Sequence, residues 1–145
     1  EKLIKTLRGL DVSVPLIGDG DVSAALDAAD PASEIDMLMG IGAAPEGVIT
    51  ATALRGLGAP FEGRLVFKNE GHRERAEVMI DGDIERLWGR DELCASDDAV
   101  FIGTGVCAGR TFGVEQLTDG RYALQSEVID VASGDHRFVE TIREA

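Results

Sequence analysis

Basic residues are scarce in this chain: 14 Lys and Arg stand against 27 Asp and Glu, a formal charge of −13 over 145 residues. That surplus repels nucleic-acid backbones and anionic headgroups, and no Lys/Arg cluster interrupts it, so neither nucleic acid nor membrane is expected as a partner. Cysteine is equally sparse. Cys94 and Cys107 form no C-x-x-C pair and are too few for a disulfide framework, which suits a reducing, cytoplasmic setting. His72 and His136 lie far apart with no cysteine beside either, which excludes a zinc site of the usual spacing. The longest uncharged apolar run, around AVFIGTGVCAG, falls short of the ~20 residues a membrane-spanning helix needs, and no basic segment leads into an apolar one as in an export signal.

What is present suits one α/β domain, for a chain of this length buries roughly 70% of its unfolded surface. Residues 1–145 are therefore expected to form a single unit. EKLIKTLRGL opens as an amphipathic helix, and DVSVPLI reads as a short strand. GDGD is a turn, VSAALDAA a helix with Asp21 as its N-cap, and EIDMLMGIG an almost wholly apolar second strand. GVITATALRGLG is a helix stopped by Gly58, and FEGRLVF a third strand. Strands alternating with helices predict a mostly parallel sheet flanked by helices, with all strand C-termini on one rim. Residues 70–95 read as polar helix broken at Gly82 and Gly89, and DAVFIGTGV as a fourth strand. Apolar/polar alternation then resumes around Asp119-Gly120 and Ser133-Gly134, the marks of a terminal β-hairpin region.

Two strand-to-helix junctions on that rim carry acid: GDGD, residues 18–21, and GIGAAPEG, residues 40–47. Sequential strands usually neighbour each other, so Asp19, Asp21 and Glu46 are expected to converge. One reading is purely local: Asp21 caps its helix, and Glu46 after Pro45 gains ~0.3–1 kcal/mol from the helix dipole. The other is a ligand site. GIGAAPEG lacks the lysine of a phosphate-binding loop, and a carboxylate beside a phosphate is repulsive unless a divalent cation lies between them. Hard oxygen donors then point to Mg²⁺ or Mn²⁺. No G-x-S-x-G elbow or local triad offers a nucleophile, and the catalytic group is unassigned.

LIGDGDVSAAL, IDMLMGIGAAPEGVITATALRGLG, FEGRL and IGTGV, in this order and spacing, resemble the class II fructose-1,6-bisphosphatases of the GlpX type, some of which also act on sedoheptulose 1,7-bisphosphate. The resemblance implies a layered, inositol monophosphatase-like sugar-phosphatase fold. It also implies metal-dependent hydrolysis of the 1-phosphate of a ketose bisphosphate, in gluconeogenesis. In the family pattern the Glu of A-P-E-G is a metal ligand, which falls on Glu46. The D-G-D segment contacts the sugar phosphate, which falls on Asp19, Gly20 and Asp21, and the substrate-contacting Gly of G-G-A-P-E-G is replaced here by Ala43. An R-P-R-H stretch and the remaining acidic ligands of the family have no counterpart in these residues, and Asp130 stands at a usually cationic place. The expectation is a C-terminal lobe of a longer, homo-oligomeric phosphatase, inactive alone. The alternatives are a non-catalytic sugar-phosphate-binding or regulatory module and a purely structural, oligomerising domain.

Overall fold

A computed structural model describes residues 1–144. Three helices come first: α1 (Lys2–Gly9), α2 (Asp21–Ala29) and α3 (Ala44–Gly56). A two-residue strand β1 (Glu62–Gly63) precedes α4 (Glu70–Met79), β2 (Trp88–Gly89) and the single turn α5 (Arg90–Leu93). The remainder is β: β3 (Val100–Thr104), β4 (Glu115–Gln116), β5 (Tyr122–Asp130) and β6 (His136–Arg143). β5 is the centre of its sheet, paired with β3 and β4 along one edge and with β6 along the other, all antiparallel. β1 and β2 form a separate antiparallel pair.

The core lies where α3 packs on that sheet and α2 packs on α3. Ala25 and Leu26 of α2 and Ala53 and Leu54 of α3 meet Phe101 and Ile129, and Ile129 is wholly buried. Small residues on both helices permit close approach, and Gly56 marks its limit. A Cβ at Gly56 would overlap Ile129 Cγ2 and lie 3.4 Å from the Asp130 carbonyl oxygen. α3 then stops at Gly58, whose φ of 70° few residues other than glycine adopt. Its end is tied down from downstream: Arg90 Nη1 donates to the Leu54 oxygen within α3 and the Ala59 oxygen just past it, while Arg55 reaches forward to the Cys94 and Ser96 carbonyls.

The expected parallel sheet does not form. Among the described residues, 12–17 and 35–42 belong to no helix or strand, and only Glu62–Gly63 of the third expected strand enters a ladder. The apolar pattern behind the expectation is real, yet a strand needs a partner to take its N–H and C=O groups, and among the described residues none pairs with these segments. Leu16, Met37 and Ile41 consequently stay 64%, 68% and 77% exposed. The chain exposes 10345 Å² in all, against about 7,200 Å² for a compact monomer of this length. α1 forms as expected but buries no residue. Both terminal hairpin turns are in place, with Gly120 at φ 86° and Gly134 at φ 70°, and Asn69 caps α4 by accepting the His72 N–H at 3.0 Å. Among the described residues no helix is long and apolar enough to cross a membrane.

Gly56→Ala is expected to destabilise the fold by about 1–3 kcal/mol, the usual cost of overpacking. Gly9→Ala, where a Cβ meets open space, should be neutral or slightly stabilising. Thermal denaturation of the two variants checks this, and equal melting temperatures would remove the close α3–β5 contact as a constraint.

Candidate functional site

The residues predicted to carry chemistry sit at two helix N-termini. Gly20 is the N-cap of α2, at φ 77° and ψ 31°, a left-handed conformation that separates Asp19 from Asp21 and favours glycine. Asp21 is thus the first helical residue, not the cap. Ala43 caps α3 with φ −85° and ψ 160°, followed by Ala44, Pro45 and Glu46 in the first turn. That extended backbone suits any residue, so alanine in place of the family's glycine introduces no backbone strain. Gly20 has no side chain and Ala43 no polar one to cap its helix, which leaves first-turn N–H groups, apart from Pro45, which has none, free for an anion. Asp19, Gly20, Asp21, Ala43 and Glu46 are all exposed.

One contact brings the two motifs together. A Cβ built at Gly42 would lie 3.3 Å from Asp21 Oδ2, so the D-G-D carboxylate rests against the backbone that leads into A-A-P-E-G. Glycine at 42 admits that oxygen without displacement. The convergence stops short of a metal centre, however: the described residues contain no group of three or more Asp, Glu, His or Cys side chains able to hold an ion. Mg²⁺ and Mn²⁺ favour about six oxygen ligands. Glu46 is of the right chemical type, but the donors present are too few for a resident ion.

A second polar centre was not foreseen. Arg110, in the loop between β3 and β4, has a side chain only 9% exposed and donates from Nε to both Glu127 oxygens, at 2.9 and 2.8 Å. Its Nη1 donates to Asp27 Oδ1 at 2.9 Å and lies 3.6 Å from Asp30 Oδ2. Glu127 is 3% exposed and also meets His136 Nε2 at 2.8 Å. Burial alone would lower the Arg110 pKa, but the bonds to Glu127 and Asp27 outweigh it and raise it. The signal was readable: Glu127 shares the inward face of β5 with Ile129, and a carboxylate in a core register requires a cationic partner. The partner itself could not be named, because Asp27 and Arg110 are 83 positions apart.

Asp130, at the expected cationic position, has a local role. Its Oδ1 accepts the Ser133 N–H at 2.8 Å and hydroxyl at 2.7 Å, closing the β5–β6 turn. These bonds hold its carboxyl below the usual range. Cys94 is buried and Cys107 exposed, both as free thiols.

Residues 1–143 match the family described as bacterial fructose-1,6-bisphosphatase, glpX-encoded. The chain is 36% identical to the D-fructose 1,6-bisphosphatase class 2/sedoheptulose 1,7-bisphosphatase of Microcystis aeruginosa (strain NIES-843 / IAM M-2473), over 98% of its own length and 45% of the relative's. It is 39% identical to the protein of that name from Synechococcus sp. (strain JA-2-3B'a(2-13)), covering 97% and 44%. For that from Nostoc sp. (strain PCC 7120 / SAG 25.82 / UTEX 2576) the figures are 36%, 99% and 45%. The chain spans less than half the length of these relatives.

The Asp130 bonds imply an acid-sensitive turn. Because the folded carboxyl sits below its unfolded value of about 3.9, its stabilisation is present above that pH and is lost as pH falls through the folded value. Melting temperature recorded from pH 6 to pH 2 should therefore fall less steeply for Asp130→Asn than for the parent chain, and parallel curves would contradict the linkage.

Proposed function

Since the chain belongs to the family of bacterial glpX-encoded fructose-1,6-bisphosphatases, we propose that it is the C-terminal lobe of a metal-dependent sugar bisphosphatase. The reaction is release of the 1-phosphate of fructose 1,6-bisphosphate in gluconeogenesis, with sedoheptulose 1,7-bisphosphate as a second substrate. The observation that carries this reading is the seating of Asp21 on Gly42, which makes one surface of the D-G-D and A-A-P-E-G segments. Asp19, Gly20, Asp21 and Ala43 bind the sugar phosphate. Two uncapped helix N-termini offer it N–H donors, and the adjoining carboxylates repel it unless a cation intervenes.

In this reading Glu46 is one ligand of Mg²⁺ or Mn²⁺, and the other ligands come from the part of the relatives' length that this chain does not span. A bound metal of this kind acts as a Lewis acid toward the phosphoryl oxygens. With the ligand set incomplete in the described residues, the lobe alone is inactive. The exposed apolar stretches 12–17 and 35–42 support the lobe reading, as does a surface well above that of a compact monomer. Two free thiols accord with a cytoplasmic protein, and the outer edges of β3 and β6, which among the described residues pair with no strand, accord with a homo-oligomer.

Phosphate release from fructose 1,6-bisphosphate with Mn²⁺ or Mg²⁺ tests the proposal on this chain and on the gene product extended upstream. Turnover is expected only in the extended form, and Glu46→Gln there should lower it by more than about a hundredfold, beyond what loss of a residue that merely orients a ligand costs. Activity retained in Glu46→Gln would remove Glu46 from the site. The incomplete ligand set favours one other reading, a non-catalytic sugar-phosphate-binding module. Silence in both forms, together with a thermal shift by fructose 1,6-bisphosphate, would establish it.

A further inference from the structure

α2 carries Asp21 at its first residue and Asp27 in its last turn, about 9 Å further along the axis at 1.5 Å per residue. Its packing is apolar: Ala25 and Leu26 are buried, Leu26 among the largest side chains that are fully so, and Val22 and Ala29 lie at the margin of the core. Such contacts are nondirectional and hold α2 in the core. A directed bond adds a constraint on its position along its own axis. Among the described residues, the one side-chain hydrogen bond joining α2 to the rest of the chain is that from Arg110 Nη1 to Asp27 Oδ1 at 2.9 Å. Arg110 is itself fixed. Both Glu127 oxygens accept from its Nε, and Glu127 is anchored in β5 and by His136.

The loop that presents Arg110 is no less constrained. A Cβ at Gly105 would overlap the Phe112 carbonyl oxygen and the Thr111 side chain, and one at Gly113 would lie 2.8 Å from the Ala108 nitrogen. Gly105 N–H donates to the Gln125 carbonyl at 3.0 Å, and Val114 N–H to the Val106 carbonyl at 3.2 Å. The guanidinium thus stands at a fixed place relative to the sheet, planar and forked, with one arm on β5 and the other on α2.

We propose that Arg110, acting through Asp27, is a positioning residue that sets the axial station of α2 and so the seat of the Asp21 carboxylate on Gly42. The proposal rests on the reading of that seat as the sugar-phosphate site. It assigns to Arg110 and Asp27 no contact with substrate; their effect passes along one rigid helix.

Asp27→Ala in the extended gene product is the deciding variant. It leaves the buried Arg110–Glu127 pair intact, substitutes a good helix former and removes an acid from a helix C-terminal turn, where it is unfavourable. The melting temperature is expected to hold or rise. KM for fructose 1,6-bisphosphate should increase about tenfold with a smaller change in kcat, as for a misplaced binding group. Amide hydrogen exchange should accelerate at residues 18–22 and 40–43 while α3 and β5 keep their protection. Unchanged exchange and KM would overturn the proposal, and so would acceleration spread evenly over α3 and β5. Arg110→Lys retains charge but not the fork and should reproduce the Asp27→Ala pattern; wild-type behaviour from Lys would also overturn it. If the extended protein hydrolyses no bisphosphate, the functional reading fails, and the exchange pattern alone decides whether Arg110 sets α2.

Discussion

The approach of α3 to β5 at Gly56 sets the distance between the helical layer and the sheet. With no side chain at that position, Ile129 can fill the space beneath the helix, and the alanines of α2 and α3 can settle at the same height. Arg55 and Arg90 then tie the end of α3 to the turn of α5 and the segment beyond it, adding side-chain donors to carbonyls at and just past the two helix ends. The position of Glu46, ten residues upstream on the same helix, follows from where Gly56 rests.

Electrostatics at the candidate site runs against the usual expectation for a phosphate ligand. Acidic side chains at helix N-termini are individually favourable, since each sits in the positive end of a helix dipole. Brought together on one surface they make it anionic, in a chain already strongly acidic. In the proposed reading a cation resolves the conflict between acidic surface and anionic substrate. The lobe would contribute its carboxylate already oriented, because Pro45 and the first turn of α3 fix the backbone around Glu46.

Local signals in the sequence were faithful where the physics is local. The Gly58 stop, the Asp119-Gly120 and Ser133-Gly134 turns, and the placing of Glu46 after Pro45 all depend on a few adjacent residues, whereas of the polar helix expected over 70–95 only 70–79 and the single turn 90–93 form, with no helix between Gly82 and Gly89. The parallel sheet failed because strand pairing is a property of two segments. VSVPLI and IDMLMGI have strand composition, but no neighbour completes a ladder. Asp21 was displaced by one place from its expected cap because Gly20 can take the left-handed conformation that the turn requires. The Arg110 centre escaped notice for a different reason: the β5 alternation puts Glu127 inward, but nothing near it in sequence identifies a partner on α2.

That separation bears on how the chain reaches its fold. The His136–Glu127 and Arg110–Glu127 bonds close loops of 9 and 17 residues, whereas Arg110–Asp27 closes one of 83. Short closures cost less entropy and are reached sooner, so the hairpin and its buried arginine form first and α2 docks onto them late. Before that docking Glu127 already pairs the Arg110 Nε, while the Nη1 arm is still without its Asp27 partner.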